Sequence, residues 1–449
     1  MKLSIYNTIG LIGMSVPAWA NQPDIVLIIT DQQTASAMSC AGNPLVKTPA
    51  MDELAKDGVM FNRAYVSYPL SGPSRASLFT GKTPGELGIR DNNDTLRTKD
   101  RQESLGFQLS AAGYRCLYAG KWHIPQVNIP EEGTGFEKIC NMHDPTLVEQ
   151  IIPYLQQKHN KPVFLVASFL NPHEICEYAR GESLPYGNLP EPALEDCPNL
   201  PPNFPEPAYY PEALSLHKAF VPKSYPTGSY SDDDWRRYLY AYYRLVERVD
   251  TEIGKLIAAL KANNKYDNSL ILFVSDHGDG VAAHRWNQKR SLQEEVIRVP
   301  FIAKPPQGKG IKNVKNEKAL VNTSLDIFQT VCDYAETPKM PALQGKSIRP
   351  ILEGKADSLH SYIYVETLLD GIDTRAWCVM DNNSKYVLYR YYKNREQLFN
   401  LAEDSGEMVN LIGDKQQKET LNRLRSALYD WGVKTNDSFL IRQLKPIIK

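Results

Sequence analysis

The chain has 449 residues, 42% of them hydrophobic, and a formal net charge of −1. That length accommodates one large domain and a smaller one around a substantial core. A near-neutral balance excludes a general electrostatic attraction to nucleic acid or to an anionic membrane, so any anion must be held by a local cluster of cations.

In chain order, the N-terminus comes first. Lys2 supplies a positive charge, 9–16 is a short apolar stretch, and Ala18-Trp19-Ala20 fits a small-x-small cleavage site. Residues 1–20 therefore read as a cleaved signal peptide, which predicts a periplasmic or secreted protein. The stretch is too short to span a bilayer, and no later segment is apolar for long enough. Seven cysteines, Cys40, Cys116, Cys140, Cys176, Cys197, Cys332 and Cys378, are scattered without a C-x-x-C pair. An oxidising compartment leaves room for one or two bridges, and the spacing singles out no pair.

Asp24 to Thr30 is a continuous β-branched run ended by Asp31, and similar runs occur at 163–169 and 270–275. Helical patterns over 48–57, 104–112 and 238–263 alternate with them. This predicts an α/β domain over 21–357, with a mainly parallel sheet buried on both faces by helices. Ligands gather at the carboxyl ends of such strands. Asp31 and Asp276 each stand just past a predicted strand end, so they are expected to meet. The segment 174–233 is rich in Pro, Tyr and acidic residues and has little periodicity. It is expected to be a long insertion at the rim of the site. From residue 358 onward the pattern changes. The stretches 361–368, 376–380 and 386–392 alternate like antiparallel strands, Asp381-Asn382-Asn383 reads as a turn, and 418–431 as an amphipathic helix. Residues 358–449 are thus predicted to form a small α+β subdomain with an antiparallel sheet.

The most specific motif is Ser71-Gly72-Pro73-Ser74-Arg75, followed by Leu78-Phe79-Thr80-Gly81. Pro73 restricts Gly72, and a helix is expected from Ser74 onward with an N-terminus that favours an anion. Further motifs follow in order along the chain. They are Pro23 to Gln32, Ala112-Gly113-Tyr114 with Gly120-Lys121-Trp122-His123, Asn171-Pro172-His173, and Ser275-Asp276-His277-Gly278-Asp279. His284 with Lys289, Glu294-Glu295 with Arg298-Val299-Pro300, and Gln397-Leu398-Phe399-Asn400-Leu401 with Asp404 and Glu407 complete the series. Together these resemble the signatures of the type I sulfatases of the alkaline phosphatase superfamily, over about residues 23 to 431.

The resemblance implies an alkaline-phosphatase-like domain that hydrolyses sulfate monoesters, and a carbohydrate sulfatase in particular. In that family the first residue of the S/C-x-P-S-R motif, here Ser71, is oxidised to formylglycine. One hydroxyl of the aldehyde hydrate attacks sulfur and displaces the alcohol; loss of the other hydroxyl's proton then expels sulfate and restores the aldehyde. A Ser in this position implies an oxygen-independent radical maturase as a transient partner. Asp31, Gln32, Asp276, His277 and residue 71 would hold a divalent metal. Their oxygen donors favour calcium, with manganese second because His277 is an imidazole. Gln32 and His277 depart from a pattern in which Asp and Asn are frequent.

The resemblance also assigns roles to side chains. Arg75 would hold the hydrate, and Lys121 and Lys289 would lie on the sulfate oxygens. His123 would act as base for collapse, and His173 as general acid for the leaving alkoxide. His284 would contact substrate or stabilise its loop. Asp91, Asn92, Arg97 and Arg101 would join the insertion at the rim. Two other functions stay open at the level of sequence. One is a phosphonate monoester or phosphodiester hydrolase of the same superfamily, compatible with Asp31-Gln32 and Asp276-His277. The other is a sulfated-glycan binding protein without turnover, if Ser71 stays unmodified.

Overall fold

The apolar run from Asp24 to Asp31 forms the central strand of a large sheet. The computed structural model that defines this architecture describes residues 22–448, apart from 125–126, 128–132, 159, 339 and 341–342. The expected signal peptide lies outside the described residues. In chain order the strands are β1 (Asp24–Asp31), β2 (Val59–Phe61), β3 (Ala64–Tyr65), β4 (Arg115–Gly120), β5 (Glu137–Cys140), β6 (Val163–Pro172) and β7 (Ser269–Ser275). They continue with β8 (Phe301–Lys304), β9 (Val314–Asn316), β10 (Val321–Asn322), β11 (Ile363–Leu369), β12 (Thr374–Met380), β13 (Ser384–Tyr389) and β14 (Glu396–Asn400).

The large sheet has the order β5-β4-β6-β1-β7-β8-β2-β9. It is parallel except at β8, which runs antiparallel to both β7 and β2. Side chains alternate across β1 as strand geometry requires: Ile25, Leu27 and Ile29 join one buried cluster, Val26 and Ile28 another. Helices Pro49–Asp57, Asp144–Gln156 and Asp232–Ala262 cover the second face with Met51, Leu147, Ile151 and Leu245 among others. Helices Ser71–Thr80, Leu105–Ala111 and Thr323–Tyr334 cover the first with Leu78, Leu109 and Phe328. The expected α/β architecture is therefore observed.

Several boundaries differ from expectation. The long helix starts at Asp232, six residues before the apolar periodicity becomes readable, because Ser231 and Asp234 form a capping box ahead of three first-turn aspartates. The 174–233 segment is more ordered than its composition suggested. It contains helices Ile175–Ala179 and Glu212–Phe220, and it buries His217 completely.

The C-terminal sheet is an antiparallel meander in the order β11-β12-β13-β14, with Asp381 anchoring the predicted turn through bonds from the Asn383 and Ser384 N–H groups. Its two faces serve different cores. Trp377, Val379 and Leu388 pack on helix Lys418–Lys434, through Leu421, Leu424 and Leu428. Ala376, Cys378, Met380 and Val387 face the main core. The sequence hid β14 inside the Gln397–Leu401 motif and gave no signal for the final helix, Ser438–Leu444, which Asp437 caps by accepting from the Phe439 and Leu440 N–H groups.

Candidate active site

Strands β4, β6, β1 and β7 are neighbours in that order and all parallel, so their C-terminal ends lie side by side. Asp31 ends β1, Lys121 follows β4, His173 follows β6, and Asp276 and His277 follow β7. Residues scattered over nearly 250 positions thereby reach one sheet edge. Gly120 makes one of these turns possible. It sits at φ +95°, and a Cβ there would lie 2.0 Å from the Ser168 carbonyl oxygen of the adjoining strand.

Ser71 opens its helix directly, three residues earlier than expected, with extended Leu70 as the cap. Arg75 follows one turn later on the same face. Both are fully buried. The Arg75 guanidinium donates to Asp276 Oδ2 at 2.8 Å, Asp31 Oδ2 at 3.2 Å, Ser168 Oγ at 2.8 Å and the Lys121 carbonyl at 3.0 Å. It therefore locks the two carboxylates in place rather than standing free beside Ser71. Lys121 Nζ adds a second cation, 2.7 Å from Asp31 Oδ2.

Ser71 Oγ lies 3.0 Å from His277 Nε2 and 3.3 Å from Asp31 Oδ2. His277 Nδ1 is 2.8 Å from the Gly278 carbonyl oxygen. A carbonyl only accepts, so Nδ1 carries the proton and Nε2 turns its lone pair inward. Asp31 Oδ1 is buried with no hydrogen-bond partner among the described residues. His277 Nε2 is 3.9 Å from it and 3.8 Å from Asp276 Oδ1. Ligand atoms of Asp31, Asp276 and His277 all fall within 4.8 Å of one another. An orphaned buried acceptor is costly, and a divalent cation is the partner that this set of oxygens and one imidazole suits.

Electrostatics agree with that geometry. Burial opposes ionisation of Asp31, but Lys121, His173 and Arg75 around it outweigh burial and hold its carboxyl well below the usual range. Asp276, desolvated beside Asp31, is pushed up to about 7. Two carboxylates this close resist joint ionisation until positive charge is placed between them. Burial, then Lys289, draws His277 down to about 3, so it is a neutral ligand-type imidazole.

His173 Nε2 lies 3.1 Å from Lys289 Nζ and 4.0 Å from Asp31 Oδ1. Burial and the two lysines hold this imidazole well below its ordinary pKa. Lys289 Nζ also donates to Gln32 Oε1 at 3.2 Å. His123 stands at the mouth with its ring exposed, held at φ +52°. Crowding and the Lys121 charge lower its pKa, an effect that water at the open side screens. Gln32, Gln288 and Arg290 also have φ near +70°. Such backbone outliers concentrate at functional sites.

The expected rim residues separate. Asn92 belongs beside the site, because its Oδ1 accepts from the Gly72 N–H at 3.0 Å. Asp91 binds Arg290 at 2.6 Å, next to Lys289. Arg290 in turn reaches Asp370 at 3.3 Å and the Leu368 carbonyl at 3.0 Å, which ties the β11–β12 hairpin to the site. Arg97 and His284 do not reach the cluster, and of the two roles open for His284 its placement fits the stabilising one. Arg97 turns away to Asp100 at 2.6 Å and the Glu86 carbonyl at 2.9 Å, because Asp100 gathers it together with Lys82. His284 is buried and stacked on Tyr210, with Glu407 and Lys385 as its charged neighbours and no bond to the cluster among the described residues. The Arg101 guanidinium donates to the Leu96 carbonyl at 3.0 Å. The sequence missed Ser168, Arg290 and Asp370. Ser168 hides inside an apolar strand, and nothing local marks the other two.

Comparison with known proteins gives the family. The chain belongs to the sulfatase family, whose model matches residues 23–337. A second model, of the N-sulphoglucosamine sulphohydrolase C-terminal region, matches residues 282–434. The protein is accordingly a sulfuric ester hydrolase. It is 28% identical to a Delta 4,5-hexuronate-2-O-sulfatase of Bacteroides thetaiotaomicron, over 94% of this chain and 91% of the relative. Among solved structures it superposes on a 2-O GAG sulfatase with a TM-score of 0.82 and 25% identity, covering 93% of each chain. A phosphonate monoester hydrolase of Agrobacterium radiobacter shares the fold, with a TM-score of 0.71 at 21% identity over 90% of this chain and 96% of that one. No helix among the described residues is long and apolar enough to cross a membrane.

Proposed function

We propose that the protein removes sulfate from a sulfated carbohydrate, using an oxidised Ser71 and one divalent metal ion. The orphaned Oδ1 of Asp31, facing His277 Nε2 and Asp276 beside Ser71, is the observation that carries this conclusion. The carbohydrate class is supported by the names of the relatives, which act on a hexuronate and on a GAG.

Asp31, Asp276, His277 and Gln32 would hold the metal, with residue 71 completing the set; calcium is the first choice and manganese the second. When bound, the ion supplies positive charge to a sulfate oxygen and to the nucleophile. The chain's own groups do the rest. Arg75 fixes both carboxylates. Lys121, beside Asp31, and Lys289, beside Gln32 and His173, neutralise sulfate oxygens. Maturation removes two hydrogens from Ser71, which a radical maturase accepts as the oxidant. His123, open at the mouth, takes a proton from the hydrate. His173 carries a proton to the leaving alkoxide: burial and then Lys289 and Lys121 keep its imidazole neutral, and a bound sulfate anion offsets the contribution of the two lysines. Asn92 and Asp91 line the approach.

The same proposal divides the chain into a leader over 1–20, a catalytic domain over 21–357 with 174–233 at its rim, and a subdomain over 358–449. It places the mature enzyme in the periplasm or outside the cell. The test is turnover by matured protein on defined sulfated saccharides, alongside aryl sulfate and phosphonate monoesters. Saccharide desulfation supports the proposal. Turnover of phosphonate esters alone would assign the protein to the other chemistry of this fold. Full activity with unmodified Ser71 would refute the formylglycine step.

A further inference from the structure

Gln32 poses a problem that a carboxylate would not. An amide can turn either its oxygen or its NH2 group toward a cation, and only the oxygen can ligate. Something must fix which end points at the Asp31–Asp276–His277 cluster. Asp279 stands behind Gln32 and is fully buried. Its Oδ1 accepts from the Val281 N–H at 2.8 Å and the Tyr238 hydroxyl at 2.8 Å. Its Oδ2 accepts from the Gln288 N–H at 3.0 Å and from Gln32 Nε2 at 2.8 Å. On the opposite side, Gln32 Oε1 meets the donor-only ammonium of Lys289 at 3.2 Å and the Cys176 thiol at 3.4 Å. Both ends of the amide therefore agree on one orientation. The backbone is pinned as well. The Gln32 N–H donates to Asp276 Oδ1 at 3.2 Å, and its carbonyl accepts from the Tyr242 hydroxyl at 2.7 Å.

We propose that Asp279 is a positioning residue: it holds the NH2 group of Gln32 and so turns the amide oxygen toward the metal cluster. This rests on the metal site proposed above, and it adds a component that the ligand set alone lacks. Tyr238, from the long helix Asp232–Ala262, steadies the carboxylate in that task. Outer partners of this kind typically change metal affinity by about 10- to 100-fold.

The test is a double-mutant cycle on full-length, metal-stripped protein, titrated with calcium and with manganese by calorimetry. The variants are Asp279→Asn, Gln32→Ala and their combination, and unfolding transitions are recorded for each. Asp279→Asn should weaken metal binding about 10-fold or more. In the Gln32→Ala background it should cause no further loss, because the amide it orients is gone. Whichever way it turns, Asn places its NH2 group against one backbone N–H and one side-chain donor. If that variant does not fold, Asp279→Ser takes its place in the cycle, since it leaves room for a water to serve those donors. Independent, multiplying losses would overturn the inference, as would an Asp279→Ser variant that binds metal as tightly as wild type. A wild-type protein that binds no divalent cation would instead overturn the metal site itself, and this inference with it.

Discussion

At the residue scale, the site is built from opposed charges held out of water. Asp31 and Asp276 are fully buried, and Arg75, also buried, bonds to both. Removing one partner of such a set leaves the rest uncompensated. Asp276→Ala should therefore lose bound metal as well as turnover, whereas the wild type should carry about one divalent ion per chain by elemental analysis. An active, metal-free wild type would contradict this. His173→Ala should behave differently. A sugar alkoxide needs a proton to leave, and an aryl sulfate departs as a stable phenolate. Turnover of a sulfated sugar should fall by about 10²-fold or more, turnover of an aryl sulfate much less, and metal content should stay unchanged. Equal loss on both substrates would remove His173 from the role of acid. Ser71, Asp31 and Asp276 were legible in the sequence because each sits in a dense local motif. Asp279 lay in plain view within such a motif, but its bond to Gln32 spans 247 positions and only the fold reveals it. For His284 the sequence left two roles open, because a histidine in a motif says nothing about which way its ring turns; the ring is buried against Tyr210.

At the scale of elements, two features hold the site in register. Gly120 ends β4 where the adjoining β6 backbone leaves no room for a side chain. Gly120→Ala should separate those strand ends, displace Lys121, and lower both the melting temperature and turnover of the sulfate ester. The second feature joins the C-terminal sheet to the catalytic core. Lys385 of β13 is fully buried, 3.2 Å from Glu294 and 2.7 Å from Glu407. Lys385→Ala leaves two buried carboxylates facing each other. It should cost about 3–5 kcal/mol in denaturant unfolding, while Lys385→Ala combined with Glu294→Gln should recover part of that loss. The periodic elements were readable because burial on both faces of β1, β6 and β7 writes long apolar runs. Short β2, β8 and β9 were not, since three or four residues show no period. The antiparallel β8 is a matter of pairing rather than of local pattern.

At the scale of the whole molecule, the C-terminal sheet is wedged between its own helix and the main core, and its β11–β12 hairpin reaches Arg290 beside Lys289. A chain truncated after 357 should accordingly lack a cooperative unfolding transition and sulfatase activity, both measurable on the purified fragment. The order of assembly also follows from the sheet. β1 must pair with β6 and with β7, whose residues come about 140 and 245 positions later. His277, 3.0 Å from Ser71 Oγ, is made only after β7. In the complete fold Ser71 is buried beside His277 and Asp31. On the formylglycine mechanism proposed above, a maturase would act on the growing or still unfolded chain, before the fold buries that hydroxyl. Folded, unmodified protein mixed with an active maturase should keep its mass, whereas the same chain presented unfolded, or as a peptide around Ser71, should lose about two daltons.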